Sequence, residues 1–293
     1  MSETAQFRNK MMSDGYFMAE NIVSEEKIGS VLESIFKIYC KYNPSTKLLK
    51  LEKPWHTKLF HEEMIKFREL EPKKFSLLYN TAQTSVSLLE LLNDETIAKY
   101  CANLLGSKST ELSIAEGMVR MDCPLDEKNI AGWHQEIAYL GNNGVVVWVP
   151  LSDITVELGP LQLCPKSHLE GDLLDSENMK KNYSWYRSST NSSSNSNDEV
   201  KPVDSSYDKI EQEKIEKYSV IHAEMKKGDA LFFDTKTFHR SGINSSDMIR
   251  FSCATRFANF TEEDFVPFRE TKTYDKFFLN QSGRAGVKGL PTY

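Results

Sequence analysis

Through the first hundred residues the apolar positions recur at a helical period. After Ser24, the side chains of Ile28, Val31, Leu32, Ile35 and Tyr39 fall on one face, and the Ser24 hydroxyl can cap the free N–H groups of the first turn. Pro72 suits the first turn of a second helix, whose Phe75, Leu78, Tyr79, Ala82, Val86 and Leu89 line a single stripe. Asp94 can cap a third helix that Gly106 ends. Helices this amphipathic need a larger surface to pack on.

From Glu111 the period shortens to that of strands. Short β-like runs span Leu112 to Met121, Gly144 to Trp148, Leu161 to Cys164, Tyr218 to Met225, Ala230 to Phe233 and Ile249 to Phe257. Turn residues separate them, among them Asn142-Asn143-Gly144, Gly159-Pro160 and Gly228-Asp229. Many short strands with turns between them predict a sandwich or jelly roll. The expected organisation is one domain over residues 1–293. Residues 1–110 form a mainly helical support, 111–262 a jelly-roll core, and 263–293 a C-terminal extension. Residues 188–197 are wholly Ser, Thr and Asn, and an acidic stretch follows. Such a segment cannot bury enough apolar surface to offset its chain entropy, so a flexible insertion is expected at about residues 180–215. A lid over a site and a plain surface insertion both fit it.

Composition narrows the function classes. A net charge of -6 with a pI near 5.7 argues against a nucleic-acid or anionic-membrane binder. The opening MSETAQFRNKMM lacks the apolar core of a signal peptide, and no apolar run approaches spanning length. Five scattered cysteines with no Cys-x-x-Cys pair read as reduced, mostly buried thiols. The expectation is a cytoplasmic protein that acts on a small molecule, with its oligomeric state left open.

The candidate chemistry lies between Trp133 and Arg256. On an extended segment, residues two apart point the same way, so His134 and Glu136 can offer an imidazole and a carboxylate to one ion. Two other His-x-acid pairs exist. His61 with Glu63 falls in a helical segment, where residues two apart diverge, and is expected on a solvated face. His222 with Glu224 has too little chain before His239 to build a jelly roll around it, and is expected to line the pocket or the surface. A set of strands separates His134 from His239, and a third ligand from a distant strand is what a two-His-one-carboxylate facial triad requires. A structural zinc site would close with four ligands, and none is spaced for it. Arg250, eleven residues after His239, can clamp a carboxylate bidentately, and Ser252 adds a hydroxyl.

These segments resemble the phytanoyl-CoA dioxygenase family of iron(II)- and 2-oxoglutarate-dependent oxygenases. The resemblance is carried by Trp133–Glu136 (WHQE), Val147–Asp153 (VWVPLSD), Gly159–His168 (GPLQLCPKSH), Lys227–Asp234 (KGDALFFD), Phe238–Asn244 (FHRSGIN) and Arg250, with Asp14–Met18 (DGYFM) matching the family's opening. It implies a mainly β fold with α, a double-stranded β-helix (a cupin-like jelly roll) buttressed by N-terminal helices. It also implies that His134, Glu136 and His239 hold Fe(II) and that Arg250 grips the distal carboxylate of 2-oxoglutarate. Trp148 matches a position that flanks this cosubstrate, and Arg120 is a candidate for its other end. The implied reaction consumes O2 and 2-oxoglutarate, releases succinate and CO2, and oxidises a substrate C–H bond, with hydroxylation as the first expectation. A metal-binding jelly roll without oxygenase activity, or an oxygenase of a protein or nucleic acid, are the alternatives.

The sequence departs from the family in two ways. Glu136 stands where most members have Asp; it keeps charge and donor type, and it argues against a halogenase, which needs a small residue there. The terminal Leu290-Pro291-Thr292-Tyr293 carries no peroxisomal address, which points away from phytanoyl-CoA as the substrate. Outside the motif set, His168 is expected in a structural turn and His56 as a packed loop residue. Arg256 is expected as a substrate-anion anchor or a surface ion pair. Tyr139 and Gln135 are candidates to face the pocket.

Overall fold

The computed structural model describes residues 3–126, 130–137, 143–171, 173, 210–263 and 265. The Ser/Asn-rich segment, most of the expected insertion, Tyr139 and nearly all of the C-terminal extension lie outside the described residues.

The helices come first. α1 (Glu3–Asp14), unanticipated from the pattern, leads into β1 (Tyr16–Ala19), and Phe7 stacks on Phe17 with ring centroids 4.8 Å apart. α2 (Glu25–Tyr42) is capped as expected, the Ser24 hydroxyl accepting from Lys27 N, and its stripe is buried. α3 (Lys58–Leu70) follows two short 3-10 turns. The single helix expected after Pro72 is two. α4 (Pro72–Gln83) stops at Thr84, and Ser85 caps α5 (Val86–Leu92). The break rotates the second part, so Leu88, Leu91 and Leu92 are buried while Val86 and Leu89 are exposed. Ser and Thr favour caps because their hydroxyls satisfy free backbone N–H groups, and that local preference overrides the stripe. α6 (Glu95–Leu105) starts on Asp94, which accepts from Thr96 N and Ile97 N, and ends on a left-handed Gly106.

Five strands form an antiparallel sheet in the order β1-β6-β3-β8-β2, with β2 at Leu112–Asp122, β3 at Gly144–Pro150, β6 at Ala230–Asp234 and β8 at Arg250–Asn259. A smaller sheet has the order β5-β4-β7, from Ile221–His222, Gln162–Leu163 and His239–Arg240. A single helical turn, α7 (Gln212–Ile215), precedes β5. The arrangement is the expected jelly-roll fold with N-terminal helices.

Alternation along the strands of the large sheet divides its two faces. Val145, Val147, Val149, Phe232, Phe251, Cys253 and Phe257 pack on the helices in the main core. Val146, Trp148, Leu231, Phe233 and Ala254 face the small sheet and meet Leu161 and Leu163 there. The helical layer thereby makes the large sheet rigid from behind, and the space between the sheets holds the site.

Candidate metal centre

His239 opens β7 and exchanges two backbone hydrogen bonds with His134: His134 N donates to His239 O at 3.0 Å, and His239 N to His134 O at 3.2 Å. This antiparallel bridge sets the two imidazoles side by side, ring centroids 4.1 Å apart. Glu136 N then donates to Thr235 O at 2.8 Å, which keeps the chain extended and returns the Glu136 side chain to the face of His134. The segment is an extended run with one bridged residue rather than a strand, yet it meets the need for period two.

All three side chains are buried, at 6%, 5% and 3% exposure for His134, Glu136 and His239. Glu136 Oε1 lies 3.6 Å from His134 Nε2 and 3.5 Å from His239 Nε2. One ligand atom from each residue falls within 4.8 Å of the other two. Each ring is fixed through its far nitrogen, His134 Nδ1 on Gly132 O at 2.7 Å and His239 Nδ1 on Thr237 O at 2.9 Å. A carbonyl only accepts, so Nδ1 carries the proton and Nε2 keeps its lone pair. Burial pushes the His239 imidazole pKa down, with Glu136 opposing, which favours the neutral ring that ligation requires. Three lone pairs converging at this range repel unless a cation or a proton lies between them. Two nitrogens and one oxygen on one side, with room opposite, are the donor set of a non-haem iron(II) site.

That room is a cavity of about 60 Å³ between the sheets. Its walls include Trp148, Phe233 and Leu161, and beyond the three candidate ligands it is lined by Arg120 and Arg250. Arg250 is buried, and its Nε and Nη2 donate to Asp122 Oδ2 at 3.2 and 2.9 Å, while Nη1 donates to Gly242 O and Leu158 O at 3.2 and 3.4 Å. Arg120 reaches the same carboxylate, Nη2 to Oδ1 at 2.7 Å and Nε to Oδ2 at 3.2 Å. Burial raises the Asp122 pKa, but the two guanidinium charges outweigh it and hold the group low. Sequence reasoning missed Asp122, although its register opposite Arg250 follows from pairing β2 with β8. Ser252 shares the cavity-facing parity of β8 but is not among the residues that line the cavity, and its buried Oγ has no hydrogen-bond partner among the described residues.

Arg256 corrects an expectation. It is not a surface ion pair but lies in the cavity wall, buried at 5%, donating through Nε to Glu136 Oε2 at 3.0 Å and through Nη2 to Glu136 Oε1 at 2.8 Å. Burial raises the Glu136 pKa; the Arg256 charge overrides it and holds the carboxyl well below the usual range. The signal was present in the strand: Arg250 and Arg256 are six apart and share one face of β8.

Other histidines resolve differently. His61 is not solvated but 7% exposed, because its Nδ1 accepts from Ile249 N at 3.0 Å and ties α3 to the start of β8. His56 is exposed at a 3-10 turn rather than packed. His222 and Glu224 are on the surface, and His168 sits in its turn with Nε2 paired to Met12 O. Gln135 does not face the cavity; its amide braces Gly171 O, Lys236 O and Leu173 N. All five cysteines are unbridged, four of them buried.

Residues 11–252 match the family described as Phytanoyl-CoA dioxygenase (PhyH). The chain belongs to the phytanoyl-CoA dioxygenase family. As a member it is a 2-oxoglutarate-dependent non-haem iron enzyme, and the His-Glu-His arrangement is its candidate facial triad. Its fold is also similar to solved structures. SnoN, an epimerase crystallised in complex with Fe3+, alpha ketoglutarate and nogalamycin RO, is 16% identical, with 87% of this chain and 83% of that one covered and a TM-score of 0.52. AviO1 from Streptomyces viridochromogenes Tue57 is 14% identical over 91% and 98%, with a TM-score of 0.54. The non-heme monooxygenase ThoJ is 16% identical over 96% and 94%, with a TM-score of 0.52. At these identities the likeness is one of fold. No curated protein is significantly similar in sequence. Among the described residues no helix is long and apolar enough to cross a membrane.

Proposed function

We propose that this phytanoyl-CoA dioxygenase family member oxidises a C–H bond of a small-molecule natural product, coupled to conversion of 2-oxoglutarate and O2 into succinate and CO2. The observation that carries the reading is the convergence of His134 Nε2, His239 Nε2 and Glu136 Oε1 at the wall of the inter-sheet cavity. These three atoms are assigned to iron(II), which when bound supplies the oxidising chemistry.

The rest of the site binds and orients. Arg250, aligned by Asp122 and two carbonyls, is assigned to the distal carboxylate of 2-oxoglutarate, with Arg120 beside it. Trp148 is assigned to the flank of the cosubstrate, where its ring excludes water. A small-molecule substrate is supported by the recess between the sheets and by the nogalamycin compound bound in the similar epimerase.

The test is succinate release from purified protein with iron(II), ascorbate and 2-oxoglutarate. Slow release is expected from the wild type and none from His239→Ala. Equal turnover in the two would overturn the assignment.

A further inference from the structure

Glu136 has one more rotatable bond than the Asp usual at its position, so its carboxylate can swing and can present one oxygen or both. Its backbone lies on an irregular segment outside the strands, with its N–H on Thr235 O. Arg256 is held in the opposite way. It sits inside β8, opposite Ala115 of β2 on one side and Val146 of β3 on the other. A side chain on a doubly paired strand therefore faces a longer one on a segment paired only at single residues.

We propose that Arg256 is the positioning residue of the metal centre, its planar fork turning Glu136 into a one-oxygen ligand. The proposal rests on the reading of His134, Glu136 and His239 as the metal triad. The two N–H groups meet the two carboxylate oxygens in parallel, Nη2 on Oε1 at 2.8 Å and Nε on Oε2 at 3.0 Å. That geometry fixes the rotation of the carboxylate plane, and it leaves Oε1 as the oxygen closest to both imidazoles, at 3.5 and 3.6 Å. Each oxygen keeps one guanidinium N–H, so the fork holds the carboxylate with Oε1 toward the rings and Oε2 turned to Nε. The pair is also buried, at 5% exposure for each residue, which strengthens the two hydrogen bonds against competition from water. Partners that orient a ligand in this way are worth roughly 10–100-fold in metal affinity. The extra methylene of Glu136 and the guanidinium of Arg256 then form one device, the second correcting the freedom introduced by the first.

A buried ion pair that served stability alone would depend on charge. A device that orients a ligand depends on the fork, which Lys lacks. The decisive variant is therefore Arg256→Lys, titrated with Co(II) under anaerobic conditions and followed by calorimetry and by the visible d–d absorption bands, beside wild type and His239→Ala. Wild type is expected to bind Co(II) and His239→Ala to lose that site. Arg256→Lys is expected to bind about 10–100-fold more weakly, with shifted bands. Wild-type affinity and bands in Arg256→Lys would overturn the proposal while the triad reading stood. Equal binding by wild type and His239→Ala would remove the triad reading and the proposal with it. A crystal structure of the wild-type Co(II) form gives a check that needs no variant. Oε1 alone is expected at ligand distance, roughly 2.0–2.2 Å, with Oε2 still on Arg256 Nε. Both oxygens on the metal would overturn the proposal.

Discussion

His61 bonds to the backbone one residue before Arg250, so altering it tests how the helical layer supports the site. In His61→Ala the Ile249 N–H, fully buried, loses its acceptor, at about 1–3 kcal/mol for an unsatisfied donor. The variant also loses ring packing against Phe251 and Phe60, whose centroids lie 5.7 and 6.1 Å away. His61→Asn restores an acceptor, because its Oδ1 can stand near the position of Nδ1, but not the ring. Their difference isolates the hydrogen bond. At roughly 2–4 °C per kcal/mol for a chain approaching this size, His61→Asn should melt about 2–12 °C above His61→Ala in differential scanning fluorimetry. The pH dependence gives a second reading. Burial lowers the His61 pKa below the ordinary 6.5, with Asp247 opposing, so the folded protein binds this proton less readily than the unfolded chain. Its contribution is complete above the unfolded value and lost as pH falls towards the folded one. The margin of wild type over His61→Asn should therefore shrink between about pH 7.5 and about pH 5.5. Equal melting of the Asn and Ala variants, or a margin that does not move with pH, would refute the reasoning.

Asp122→Asn removes the shared counter-charge of Arg120 and Arg250 and one of its two acceptor oxygens; stability should fall by about 3–5 kcal/mol, read by urea unfolding, and the KM for 2-oxoglutarate should rise. Gly159 has φ 70°, and a Cβ there would lie 2.3 Å from Ile243 O, so Gly159→Ala should cost at least about 1–3 kcal/mol. It should also weaken 2-oxoglutarate binding through the adjacent Leu158 O, which accepts from Arg250; an unchanged KM would count against that route. Burial pushes the Cys164 thiol up to about 11 and raises Cys101, Cys123 and Cys253 as well, so the folded protein should react with Ellman's reagent at Cys40 at most, and at all five cysteines once denatured.

What the sequence disclosed and what it hid have physical causes. His134, Glu136 and His239 were readable because period two and a distant third ligand are both one-dimensional signals. Capped helices such as α2 and α6 were readable because Ser24, Asp94 and Gly106 act locally. The break at Thr84 was hidden because the apolar stripe runs on across it, and only the Ser85 cap marks the second start. β7 was hidden because two residues give no pattern. Arg256 and His61 were misassigned for one reason: each finds its partner 120 and 188 residues away, through sheet register that composition does not record. A charged side chain reads as solvated until its counter-ion is located.

β8 puts Arg250 and Arg256 on one face and Phe251, Cys253 and Phe257 on the other, within ten residues. A deletion of one residue between the two arginines would flip every residue after it relative to those before, turning the Arg256 guanidinium into the apolar layer and the Phe257 ring into the reaction chamber. The strand therefore tolerates replacement far better than changes of length. Natural variation that retunes substrate choice in such a protein has to accumulate away from this ribbon, in the walls that close the chamber rather than the rail that carries its charges.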